Sequence, residues 1–211
     1  MIHLYSDQTP NGLRAAIVLE ESGLPFTPIR IDTGRGEQHS PSFAALNPAC
    51  AIPVIVDDDG PGREHLILAQ SGAIVLYVAN KCGRLVPTDP VRRAHMYHWF
   101  MQIATDVTAA SSWIFNHARG MPIKSTENAA WLEARLARAL TETDRWLGQH
   151  EYFADELSIA DLLLFPTSSF RRKMLVEAGT YPNLCRWGAQ VEQRAAVRRG
   201  MALFDEPTTS A

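Results

Sequence analysis

Cysteine is scarce in this sequence. Among 211 residues only Cys50, Cys82 and Cys185 occur, odd in number and far apart. A disulfide framework is thereby excluded, and a reducing, cytoplasmic compartment is expected. No Cys-x-x-Cys and no His-x-x-x-His pair is present, so neither a zinc site nor a dithiol redox centre has its ligands. His95 and His98 stand three apart without a third ligand near them, and no metal is expected. Long apolar runs are missing as well: none reaches the roughly 18 residues of a membrane span. The segment from Met1 to Tyr5 has no basic stretch leading into an apolar one, as a secretory signal would. Dense Lys/Arg runs are also lacking. The net charge is -3, and the short clusters Arg171-Arg172-Lys173 and Arg198-Arg199 read as solvated helix faces. Neither a membrane nor a nucleic acid is therefore an expected partner.

What is present is an ordinary globular composition, 46% hydrophobic and 20% charged, enough to bury a proper core. The first 80 or so residues alternate strand and helix signals. Ile2 to Tyr5 is β-prone. Thr9-Pro10 reads as a helix start, with Thr as cap and Pro in the first turn, and Gly23 ends that helix. Phe26 to Ile31 is a second strand, which makes a βαβ unit. A short helix fits near Ser42 to Leu46. Pro53 to Val56 and His65 to Leu68 form a hairpin around the turn-rich Asp57 to Gly62. Ser71 then opens a helix that Gly83 stops.

Two prolines without periodicity at 84–90 mark a linker, and the remainder is helical in character. A long helix runs from Val91 to about Arg119, bent near Asp106, and a second from Thr126 to Gln149. Ser158 and Asp161 read as a capping box with Leu157 and Leu162 as its hydrophobic staple. One or two helices follow from Pro182 to Gly200. The expected domains are 1–82 (α/β, thioredoxin-like, βαβ-ββα), a linker at 83–90, an all-α helical bundle at 91–206, and a loose tail at 207–211.

A thioredoxin-like redox enzyme would place cysteines after its first strand. Here that place reads Ser6-Asp7-Gln8-Thr9-Pro10-Asn11. Any thiol chemistry must draw its sulfur from a bound partner.

Three segments carry a resemblance. Asn47-Pro48-Ala49-Cys50-Ala51-Ile52-Pro53-Val54-Ile55-Val56 is similar to the segment before strand three of glutathione transferases. Gln70-Ser71-Gly72-Ala73-Ile74 resembles their glutathione-gripping turn, and Ser158-Ile159-Ala160-Asp161 their capping box in the helical domain. Thr9-Pro10-Asn11-Gly12 further resembles the bacterial Nu-class branch, which is similar to fungal glutathione-dependent disulfide reductases and transferases. Gly36-Glu37-Gln38 and Phe115-Asn116-His117 fit that branch too.

The resemblance implies glutathione as co-substrate, a small electrophile or a disulfide as second substrate, and a homodimer. It implies a cis bond before Pro53, with the Ile52 backbone pairing the cysteinyl part of glutathione like an added strand. Ser71, at a helix start, would take the γ-glutamyl carboxylate. Gln70 would accept from the ligand ammonium without the full charge of a Glu. Gln38 would meet the glycyl end. The residue before Ile-Pro, often Lys or Asn in relatives, is Ala51, which leaves Gln38, His39 or Arg35 to compensate. Thr9 and Asn11 would hold the sulfur as thiolate, with Ser6 a substitute donor; Tyr5 reads as core. Trp113, Phe115, Asn116, His117 and Arg119 are candidates for a second-substrate pocket between the domains. The rival reading of the same fold is a non-catalytic binding or regulatory module.

Overall fold

The computed structural model describes residues 1–119 and 122–205, the side chain of Arg119 excepted. The expected tail at 207–211 therefore lies outside the described residues. Two compact units form: Met1–Arg84 together with the chain from Glu192 on, and Leu85–Val191.

The first unit holds a four-stranded sheet of β1 (Ile2–Ser6), β2 (Phe26–Arg30), β3 (Val54–Asp57) and β4 (Leu66–Ala69) in the order β2-β1-β3-β4. β2 runs parallel to β1; β3 is antiparallel to both β1 and β4. Helices α1 (Pro10–Ser22), α2 (Pro41–Leu46) and α3 (Ser71–Cys82) complete the thioredoxin-like pattern. Helix α1 begins as its sequence dictates. Thr9 is the cap, Pro10 needs no amide partner, and Gly23 takes the left-handed φ of 69° that ends the helix. From Leu13 to Leu19 every residue of α1 is buried, because α3 and α10 (Ala195–Ala202) both pack on it.

The carboxylate of Asp57, 1% exposed, ties the end of β3 to α3. Tyr77 Oη and Lys81 Nζ each donate to its Oδ2 at 2.6 Å. Burial alone would raise this carboxyl, but those donors and the Asp59 amide hold it below the usual carboxylate range. The same contact, together with burial, raises the Tyr77 phenol.

Where the sequence assigned 91–206 to the helical domain, residues from Glu192 on group with the first unit. The cause is a close helix crossing. A Cβ on Gly200 would stand 2.8 Å from the Ile17 Cα, so only glycine lets α10 approach α1 this far. Arg194 clamps Glu21 with two bonds of 2.6 and 2.9 Å, and Arg199 Nε donates to Glu20 at 2.7 Å. These two basic residues are spaced along the last segments like any solvated face, so the sequence alone does not reveal their partners.

The second unit comprises α4 (Pro90–Gln102), α5 (Ala109–Arg119), α6 (Thr126–Leu147), α7 (Ile159–Phe170), α8 (Arg172–Ala178) and α9 (Pro182–Glu192). The bend expected near Asp106 is a π-helical segment, Ile103–Thr108, joining α4 to α5, and Arg135 Nη2 donates to Asp106 at 2.6 Å. The capping box of α7 is formed in both directions. Asp161 there is fully buried. It accepts from the Ser158 amide and hydroxyl at 2.9 Å each, the Trp187 indole at 2.8 Å and the Phe153 amide at 3.3 Å. Burial pushes its carboxyl up to about 6, and the four donors oppose that shift. Exposed Arg172 and Lys173 open the short α8, in keeping with the reading of that cluster as a solvated helix face, although no signal in the sequence sets the bounds of a separate helix there. No helix among the described residues is long and apolar enough to cross a membrane.

Candidate functional site

The strand register gathers the candidate residues of the first unit. Tyr5 pairs with Val54, and Val54 with Ala69. The far end of β1, the start of β3 and the far end of β4 therefore lie side by side. Just beyond those three strand ends stand Thr9 to Asn11, Ile52-Pro53 and Gln70-Ser71. β2 runs parallel to β1 with Arg30 opposite Ser6, so the loop that carries Gln38 leaves from the same end of the sheet.

Each segment is shaped by a small set of bonds. At α1, Thr9 Oγ1 accepts from the Gly12 amide at 3.1 Å, which leaves its hydroxyl proton to donate elsewhere. Asn11 follows at the second helical position, and Arg14 Nη1 donates to its Oδ1. Gly12 is required by packing. A Cβ there would lie 2.2 Å from the Asp7 carbonyl and 2.4 Å from Ser6 Oγ. Ser6, the expected substitute donor, is fully buried against that spot, and its Oγ has no hydrogen-bond partner.

The β2 exit loop is fastened by Asp7. Its Oδ2 accepts from the Thr33 amide at 3.0 Å and hydroxyl at 2.6 Å, and Arg30 Nε donates to Oδ1 at 3.3 Å. Burial would raise the Asp7 carboxyl; the Thr33 and Gln8 donors and the Arg30 charge together bring it below its usual value. Farther along, Gln38 sits in a single 3-10 turn, Glu37–His39, with its Nε2 3.2 Å from His39 Nε2 and its Oε1 buried without a hydrogen-bond partner. Arg35 is 81% exposed and 3.4 Å from Asp32. Ala51 and His39 are also exposed.

Ahead of β3, Asn47 builds the approach to Ile52. Its Nδ2 donates to the Ala51 carbonyl at 2.7 Å, its Oδ1 accepts from the Ala49 amide at 3.1 Å, and its own carbonyl accepts from the Cys50 amide at 2.9 Å. Cys50 takes a left-handed φ of 50°, and the Ile52-Pro53 bond is cis. Beyond β4, Gln70 has φ 75° and ψ 115°, a conformation costly for a residue with a Cβ and concentrated where ligands are clamped. Ser71, not itself the cap, is the first residue of α3, and no side chain caps that helix. The first-turn amides of α3 thus keep their capacity for an anion.

A cavity of about 530 Å³ elsewhere in this unit is lined by Tyr5, Ile31, Phe43 and Leu46 with polar Glu37 and Ser40. It shares no lining residue with the convergent set. Tyr5 is half-buried at its wall, not enclosed core.

In the second unit, Trp113, Phe115 and Asn116 are exposed on α5. His117 is half-buried, and its Nε2 accepts from the Ser125 amide at 3.0 Å, which closes the α5–α6 connection. The Arg119 side chain lies outside the described residues.

Four shaping residues escaped the sequence reading: Asp7, Gln8, Arg14 and Asn47. Arg14 had a visible signal, a lone charge in the run Leu13-Arg14-Ala15-Ala16-Ile17-Val18-Leu19. Gln8 had none, because its partners are the Met201 carbonyl and Asp205 Oδ1, both at 2.8 Å.

Comparison with known proteins places this arrangement among relatives. The family model for the glutathione S-transferase N-terminal domain matches residues 9–81, and that for the C-terminal domain matches 107–195. The Escherichia coli K12 disulfide-bond oxidoreductase YfcG is 33% identical over 97% of this chain and 95% of its own. YghU of the same organism, also a disulfide-bond oxidoreductase, is 31% identical over 94% of this chain and 73% of its own. A crystal structure of a glutathione transferase from Pseudomonas putida, with one glutathione disulfide bound per subunit, superposes with a TM-score of 0.87. It is 31% identical and covers 95% of this chain and 90% of that one.

Proposed function

The chain belongs to the glutathione S-transferase family, and we propose that it is a glutathione-dependent enzyme that binds the tripeptide at the shared end of β1, β3 and β4. The observation that carries this reading is the convergence of Thr9 to Asn11, Ile52-Pro53 and Gln70-Ser71 at one end of the sheet.

In this reading Ser71 and the α3 amides receive the γ-glutamyl carboxylate, with Gln70 accepting from the ammonium. The Ile52 backbone pairs with the cysteinyl residue. Gln38 meets the glycyl end, where Ala51 offers no side-chain donor. Thr9 and Asn11 face the sulfur and hold it as thiolate. The protein contributes binding and electrostatics, and glutathione contributes the nucleophile.

Disulfide reduction is the reaction we place first, because YfcG and YghU bear that activity in their names and the Pseudomonas putida structure holds glutathione disulfide. The thiolate attacks one sulfur of a substrate disulfide, forming a mixed disulfide and expelling the other sulfur as thiolate. A second glutathione thiolate then attacks the glutathione sulfur of that mixed disulfide, yielding glutathione disulfide and the second substrate thiol. Transfer to a small electrophile uses the same thiolate, with Trp113, Phe115, Asn116, His117 and Arg119 as candidate contacts for the acceptor. We further propose a cytoplasmic homodimer.

Glutathione-affinity capture followed by assays with hydroxyethyl disulfide and with an aryl halide tests the reading. Retention with disulfide reduction is expected. Retention with neither activity would make the protein a binding module.

A further inference from the structure

We propose that Arg14 is the positioning residue that orients Asn11, so that its amide N–H2, and not its carbonyl, is offered to the sulfur of bound glutathione. The inference rests on the functional reading above and deepens its sulfur end.

An asparagine amide at an anion site has two orientations of opposite effect. With nitrogen forward it stabilises a thiolate; with oxygen forward it repels one. Nothing in the asparagine itself chooses between them. Arg14 makes the choice. Its guanidinium carries only donors and no acceptor, so the atom of Asn11 that it holds must be the oxygen. The observed contact, Arg14 Nη1 to Asn11 Oδ1, is of this kind. Oxygen and nitrogen lie on opposite sides of the planar amide. Arg14 is 1% exposed whereas Asn11 is half-buried at the helix start. The oxygen is therefore drawn toward the interior and the N–H2 group is turned away from it.

The two residues stand three apart on α1, one helical turn, which is the spacing at which helical side chains meet. The interaction is also built to last through the working pH range. Burial lowers the guanidinium only to about 10, so Arg14 remains a cation and a pure donor at neutrality. Its positive charge adds to that of the α1 N-terminus in favouring an anion there, but a positioning role and a charge role make different predictions.

The test measures the thiol pKa of bound reduced glutathione by ultraviolet thiolate absorbance in the wild type, Arg14→Gln, Arg14→Lys, Asn11→Ala and the double variant Asn11→Ala/Arg14→Gln. Affinity for S-methylglutathione, which has no thiol, is measured beside it. Glutamine can donate or accept, so it releases the amide. The expected result for Arg14→Gln is a bound-thiol pKa about one unit higher, equivalent to about a tenfold loss of thiolate. S-methylglutathione affinity should stay within about threefold. Arg14→Lys, still a pure donor, should retain most of the wild-type value, and it carries the test if Arg14→Gln does not fold. In the Asn11→Ala background Arg14→Gln should add little further shift. Unchanged pKa in folded Arg14→Gln, or shifts that simply add in the double variant, would overturn the inference and leave Arg14 a charge or a strut. A loss in Arg14→Lys as large as that in Arg14→Gln would do the same. If the wild type itself binds glutathione without lowering its thiol pKa, the functional reading falls, and this inference with it.

Discussion

The side chain of Gln8 donates to the carbonyl of Met201 at 2.8 Å and, through the same nitrogen, to Asp205 at 2.8 Å. One residue later Thr9 caps α1. The last described helix is thus fastened to the turn that carries the proposed sulfur site. Gln8→Leu removes these bonds. The bond to the Met201 carbonyl is a neutral one, of the kind that contributes about 1 kcal/mol, and the one to the Asp205 carboxylate adds to it, so the variant should melt a few degrees lower and bind reduced glutathione several-fold more weakly. Thermal unfolding and titration calorimetry check both.

Gly12 is fixed by its neighbours and not by its φ. Gly12→Ala must displace the Asp7 carbonyl or Ser6, which a Cβ would approach to 2.2 and 2.4 Å. Overpacking of this kind costs about 1–3 kcal/mol. Because the same movement disturbs the Thr9 cap, glutathione affinity should fall along with denaturant stability. Unaltered affinity at reduced stability would separate the cap from the site.

Removing the donors proposed for the thiolate should act on the chemistry more than on the fold. A hydrogen bond to a charged group is worth about 1.5–3 kcal/mol. Asn11→Ala and Thr9→Val should each lower kcat/KM at neutral pH by about 10- to 100-fold and move the alkaline limb of the pH profile upward. Thr9→Ser, which keeps cap and hydroxyl, should stay near wild type.

Two buried carboxylates should titrate in opposite senses. Asp57 is held below its usual range, so its contribution to stability is complete above about pH 4 and is lost as pH falls through its lowered folded value. Asp161 is raised to about 6, so its contribution is complete below about pH 4 and is lost as pH rises through 6. Two units correspond to about 3 kcal/mol. Denaturant unfolding from pH 4 to 7 should therefore show wild type losing about that much relative to Asp161→Asn, whereas the difference between wild type and Asp57→Asn should stay nearly constant over that range and shrink only below about pH 4.

Much of the first unit was legible because its signals are local. Thr9-Pro10, Gly23, Ser71 and Gly83 punctuate the helices where the structure starts and stops them, and the Ser158–Asp161 box needs only its own four residues. Long-range pairings were not legible. Nothing in the composition of 192–205 indicates that Gly200 will lie against Ile17 or that Arg194 will clamp Glu21. At the site, the residues facing the proposed ligand were readable from motif resemblance. The residues that hold them from behind were not. Asp7 and Asn47 act through backbone amides and carbonyls of neighbouring loops, and Arg14 acts from inside a buried helix. His117, read from the sequence as a substrate contact, also has a partner that its spacing did not reveal: its Nε2 accepts from the Ser125 amide.

The central claim is that glutathione lies across the three strand ends with its sulfur at Asn11 and Thr9. A crystal structure of the protein with reduced glutathione tests it most directly. The sulfur is expected within hydrogen-bonding distance of Asn11 Nδ2 or Thr9 Oγ1, the cysteinyl backbone paired with Ile52, and the γ-glutamyl carboxylate at Ser71. Glutathione bound away from these strand ends, or bound there with its sulfur turned from both Asn11 and Thr9, would contradict it.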